Sequence, residues 1–108
     1  MGRILMELEN SLIEIISLSG KVKKEFLEAV KHAKNNEFEK AEEVFNDADD
    51  KLIKAHLRQT ELIKQEANGD KIEGSLMLTH AQDHLMTAIL LKDMAQEFID
   101  LYDRFEAK

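Results

Sequence analysis

A chain of 108 residues with 44% apolar side chains, no proline and no cysteine suits one globular domain, and it cannot build a disulfide, a thiolate metal site or a cysteine nucleophile. A net charge of −7 with no basic cluster argues against a nucleic-acid partner, because phosphate backbones are gripped by lysine and arginine. No uncharged apolar run is long enough to span a bilayer, and Glu7 and Glu9 fall where a secretory signal needs its apolar core, so the expectation is a cytoplasmic chain with no direct membrane insertion.

The first element is a helix. Apolar and small residues recur at Leu5, Leu8, Leu12, Ile15, Ser19, Val22, Phe26, Ala29 and Ala33. Steps of three and four keep one helical face turned to a core. Ser19-Gly20 offers either a bend or a point of close approach for a neighbouring backbone. Asn35-Asn36 should end the helix. A second stripe runs Phe38, Ala41, Phe45, Ala48, Leu52, Ala55, Gln59, Leu62. Asn36 followed three residues later by Glu39 has the form of a capping box and predicts the start of this helix. Gly69 supplies its stop. Gln59 is the polar member of the stripe and needs partners if it is buried.

The third helix should begin near Asp70, with Glu73 three residues on, although Gly74-Ser75 can delay its regular start. From Leu76 to Leu91 it is apolar on almost every side, and a helix of that kind is buried on every side. A three-helix monomer would leave one of these faces wet, which argues for self-association with a core shared between subunits. These boundaries give helices of about 31, 33 and 37 residues, each about 45–55 Å long at the usual rise per residue. Matched helices with short connections predict an all-α, antiparallel, up-down-up bundle. Residues 1–108 form one domain in this reading, without repeat, linker or low-complexity segment.

Within the most apolar helix lies a polar line. His80, Asp83, His84 and Thr87 stand at i, i+3, i+4 and i+7 and share a face. Polar groups there are costly unless paired or used. A neutral imidazole is abundant near pH 7, so His80 can act as a nucleophile, and a phosphorylated imidazole is suited to onward transfer. Gln82 and Asp83, within one turn, are candidates to fix its tautomer. A satisfied core histidine is the plain alternative. His80 and His84 also form an i, i+4 pair that could hold zinc, but Ala81, Gln82 and Asp83 lie between them and the HExxH glutamate is missing. His32 falls on a solvated flank, and His56 between stripe positions reads as structural. The methionines are core filler, and the charge run 47–51 is a solvated face.

The run His80-Ala81-Gln82-Asp83-His84-Leu85-Met86-Thr87-Ala88 resembles the signature of the lactose/cellobiose-type enzyme IIA family of the bacterial sugar phosphotransferase system. Ala55-His56-Leu57-Arg58-Gln59-Thr60-Glu61-Leu62-Ile63 with Glu66-Ala67 is similar to that family's middle helix. Residues 28–34 and 38–42 are similar to its first turn and second helix start. The resemblance implies a subunit that trimerises into a nine-helix bundle. It implies a phosphoryl group accepted on His80 from the phosphocarrier HPr and donated to a cysteine of a IIB component. It further implies one divalent cation per trimer on the threefold axis, held by Asp83. Carboxylates converging on an axis repel without a cation, and oxygen ligands suit Mg2+ (preferred here) or Ca2+. Thr79 stands where the family pattern has valine, and Gly20-Lys21-Val22-Lys23-Lys24 departs from its usual Ala-Arg-Ser-like turn. Ala81 leans toward the cellobiose/diacetylchitobiose branch. Two other readings remain at this point: a non-enzymatic helical adaptor of the same shape, and a metal-dependent hydrolase using His80, His84 and Asp83.

Overall fold

Three helices run in order, α1 (Gly2–Lys34), α2 (Phe38–Ala67) and α3 (Leu76–Glu106), in a computed structural model that describes residues 2–106, with side chains throughout that span except at residues 3–5. They form the expected up-down-up bundle, a rod of 60 × 20 × 19 Å. The helices hold 33, 30 and 31 residues. Among the described residues there is no strand.

The stripes find the core. Leu12, Ile15, Ser19, Val22, Phe26, Ala29 and Ala33 of α1 are buried, as are Ala41, Phe45, Ala48, Leu52, Ala55 and Leu62 of α2. Leu5, the first expected stripe member, lies outside the described side chains. Phe26 and Phe45 meet edge to face with ring centroids 5.0 Å apart, the arrangement aromatic quadrupoles favour. α1 runs unbroken through Ser19-Gly20. A Cβ on Gly20 would meet nothing within 4 Å inside the chain, so close packing between these three helices does not require that glycine. Gln59 is half-buried and lines a cavity of about 50 Å³ with Leu12, Ile15, Leu62, Leu78 and Ala81.

Two helix boundaries differ from the sequence reading. Asn36 does not cap α2. It sits at φ 65° and closes α1. The Glu37 N–H donates to the His32 carbonyl at 2.8 Å and the Asn36 N–H to the Ala33 carbonyl at 3.0 Å, a Schellman ending with asparagine in the left-handed position. Glu37 becomes the N-cap of α2, without a side-chain cap bond. Gly69, at φ 99°, ends α2 by the same pattern: its N–H reaches the Glu66 carbonyl at 3.1 Å and the Asp70 N–H reaches the Gln65 carbonyl at 3.0 Å. Asp70 is thereby committed to closing α2 and cannot open α3. Residues 70–75 stay non-helical, and Ile72 within them packs against the core. Ser75 caps α3 instead: its Oγ accepts the Leu78 N–H at 3.0 Å, and its carbonyl accepts the Thr79 N–H at 3.1 Å.

α1 packs extensively against both other helices, whereas α2 and α3 touch only sparsely. Ion pairs bridge the seams: Arg58 to Glu14 at 2.9 Å and Lys51 to Glu25 between α1 and α2, and Lys92 to Asp49 at 2.7 Å between α2 and α3. α3 buries only Ala81, Leu85, Ala88 and Ala95 within the chain. Met86 is 64% and Leu90 62% exposed, and Met94, Phe98, Leu101 and Phe105 continue that bare apolar stripe. Scattered exposed apolar residues are ordinary; a contiguous stripe along a helix marks an association surface.

Candidate functional site

His80 lies in the second turn of α3, one turn beyond the Ser75 cap, and is exposed. His84, one turn further on, is half-buried. Their rings meet edge to face, with centroids 4.4 Å apart and planes at 89°. The i, i+4 spacing of a helix brings the two rings together directly. The far side of His84 faces α1: Lys23 Nζ donates to His84 Nδ1 at 3.1 Å. A lysine ammonium offers donors only, so Nδ1 is the acceptor and the proton of a neutral ring sits on Nε2. Burial pushes the His84 pKa down, the neighbouring Lys23 and His80 push it further the same way, and Asp83 opposes them. Burial also lowers the Lys23 pKa. Among the described residues Lys23 has no carboxylate partner.

The polar line of four does not act as one group. Thr87 spends its hydroxyl on the backbone, within reach of the Asp83 carbonyl at 2.9 Å and the His84 carbonyl at 3.1 Å. Asp83 is exposed, and among the described residues its carboxylate has no hydrogen-bond or ion-pair partner. Neither Gln82 nor Asp83 makes a side-chain hydrogen bond to His80; Gln82 instead lines the cavity that holds Gln59. The side chain against His80 is His84, and the group that orients His84 is Lys23. Sequence reading missed Lys23 and registered it only as a departure from a family pattern. No local signal marked it, because Lys21 flanks the core residue Val22 as closely as Lys23 does.

The other histidines stand apart. His32 Nδ1 contacts Glu37 Oε1 at 3.0 Å across the α1–α2 turn. His56, expected to be structural, is exposed. No group of three or more His, Cys, Asp or Glu side chains that could hold a metal occurs among the described residues of the single chain. The Lys23 ammonium against His84 disfavours a cation there, which weighs against zinc on the His80–His84 pair. Asp83 differs: it is an unpartnered carboxylate on the bare stripe that continues through Met86 and Leu90. One carboxylate cannot hold a divalent ion, but copies brought together along that stripe would supply the oxygen donors a hard cation takes. No helix among the described residues is long and apolar enough to cross a membrane.

Comparison with known proteins places this arrangement. Residues 10–103 match the model of the PTS system, Lactose/Cellobiose specific IIA subunit. The lichenan-specific phosphotransferase enzyme IIA component of Bacillus subtilis is 45% identical over 98 residues, covering 91% of this chain and 89% of that protein. The crystal structure of the PTS cellobiose-specific enzyme IIA from Bacillus anthracis superposes with a TM-score of 0.88 at 44% identity, covering 92% of this chain and 91% of that one. The IIA(Chitobiose) subunit of the Escherichia coli phosphotransferase system, solved in complex with HPr, superposes with a TM-score of 0.80 at 35% identity, covering 92% and 96%.

Proposed function

This chain belongs to the lactose/cellobiose-specific IIA family of the sugar phosphotransferase system, and from that membership we propose that it is a cytoplasmic phosphocarrier, accepting a phosphoryl group on His80 from HPr and donating it to a cysteine of a IIB component during β-glucoside or disaccharide uptake. The observation that carries the reading is the exposed His80 ring at the start of α3, met edge to face by a half-buried imidazole; that exposure suits a group that must meet two partners in turn. The HPr complex of the Escherichia coli relative supports the donor.

In the first step a lone pair on a His80 ring nitrogen attacks phosphorus. HPr is a histidine phosphocarrier; the P–N bond to its histidine breaks and the electron pair returns to that ring. Each ring keeps its other N–H proton, so no net proton moves. In the second step a thiolate attacks the same phosphorus, an S–P bond forms, and the P–N electron pair returns to His80. Such transfers depend on positioning and charge handling more than on covalent help from the protein.

The working unit is a homotrimer, a nine-helix bundle closed along the bare stripe of α3, with His80 in a shallow cleft between subunits. The three Asp83 carboxylates would converge on the axis and hold one divalent cation; such oxygen donors suit Mg2+, the ion expected here, or Ca2+. That ion would offset the repulsion between the carboxylates.

The test is incubation with phosphoenolpyruvate, enzyme I and HPr, followed by intact mass and mapping of the label. Wild-type chain should gain one phosphoryl group on His80. A His80→Gln variant should fold, take up none and pass none to IIB. Label on His84, or on the variant, overturns the assignment, and a wild-type chain that takes up nothing is an adaptor rather than a carrier.

A further inference from the structure

Among the described residues Lys23 is the one cation hydrogen-bonded to the histidine pair, and it reaches it from a different helix. It is half-buried, and among the described residues it is paired with no carboxylate. Partial burial of an ammonium without a counter-charge is unfavourable, so its placement against an imidazole calls for a use. Because the ammonium can only donate, its bond at 3.1 Å makes His84 Nδ1 the acceptor. The His84 proton is then held on Nε2, on the other side of the ring, where no described residue accepts it. The His84 and His80 rings meet edge to face with centroids 4.4 Å apart, so every atom of the His84 ring, Nε2 included, lies close to His80.

We propose that Lys23 is a positioning residue for phosphoryl transfer: it locks His84 as the Nε2–H tautomer, so that a donor stands ready beside His80 for the oxygens of the arriving phosphoryl group. The role rests on His80 being the phosphoryl acceptor, and it adds a residue of α1 to a site otherwise built from α3. A free imidazole shifts its proton between two nitrogens, and a ring in the wrong tautomer would present a lone pair to an anionic group. With Lys23 in place that state is excluded, and the ammonium leaves a positive charge one ring away from the transferred dianion.

Two measurements test this. In wild-type protein, two-bond nitrogen–proton NMR spectra should show His84 with Nδ1 unprotonated and Nε2 protonated; the opposite tautomer overturns the proposal without any variant. In Lys23→Met the two tautomers should mix, and phosphoryl uptake from phosphorylated HPr should slow about tenfold or more, the scale of a lost charge-assisted hydrogen bond. Lys23→Arg keeps the donor and the charge and should recover most of the rate. A Met variant that transfers at the wild-type rate, or an Arg variant as slow as Met, overturns the proposal. Failure of the phosphocarrier reading itself would look different: wild-type protein would carry no label on His80, whatever the tautomer of His84.

Discussion

Ser75→Ala should loosen the turn that presents His80. The Ser75 hydroxyl is the side-chain acceptor for the Leu78 N–H, at 3.0 Å, and its carbonyl takes the Thr79 N–H at 3.1 Å. The alanine variant keeps the second bond and loses the first. Loss of a serine N-cap costs about 1 kcal/mol. Concentrated in the first turn, that raises the frayed population roughly fivefold. Hydrogen exchange of individual amides is the suitable assay, because it reads local opening rather than global unfolding. The Leu78 and Thr79 amides should exchange about fivefold faster in the variant, while amides near Leu85, in the buried middle of α3, should not change. Ser75→Asp retains an acceptor and adds a negative charge at a helix N-terminus, so its exchange should match or fall below wild type. Asp70→Ala is the control that separates the two possible caps. The Asp70 N–H closes α2 through the Gln65 carbonyl, and an alanine N–H does the same. Unchanged exchange in Ser75→Ala, or acceleration in Asp70→Ala, would refute the assignment of Ser75 as the cap.

The exposed stripe from Met86 through Leu90 and Met94 to Leu101 should be covered by two further copies of the chain; light scattering at micromolar concentration should give three times the chain mass, and a monomer mass would count decisively against it. Asp83→Leu should abolish binding of a divalent cation while leaving the trimer intact or firmer, since an apolar group on the axis removes the carboxylate repulsion. Metal analysis of purified wild-type trimer that finds no bound cation, or an Asp83→Leu trimer that still binds one, would sink the role given to Asp83.

Much of this fold was legible because helix periodicity is local information. The steps of three and four from Leu12 to Ala33 and from Ala41 to Leu62 name nearly every residue that α1 and α2 bury. Gly69 was legible for a similar reason: a left-handed φ of 99° is cheap for glycine, so its position announces a helix end. His80 and Asp83 were singled out by polarity within an apolar helix and by the HAQDHLMT run. The capping residues were harder. Asn36 and Asp70 carry side chains that cap helices well, yet each is used by the helix before it, because a Schellman ending consumes the backbone of two residues beyond the last turn. Which of two adjoining helices takes a connecting residue depends on where the chain must next pack, here with Ile72 folded onto the core before α3 begins. Tertiary structure alone decided the surroundings of His84. Lys23 lies 61 positions away in sequence, and nothing in its own helix distinguishes it from the neighbouring lysines at 21 and 24. Its contact depends on the rotation of α1 about its axis and on its axial offset from α3, both set by how the buried faces interlock.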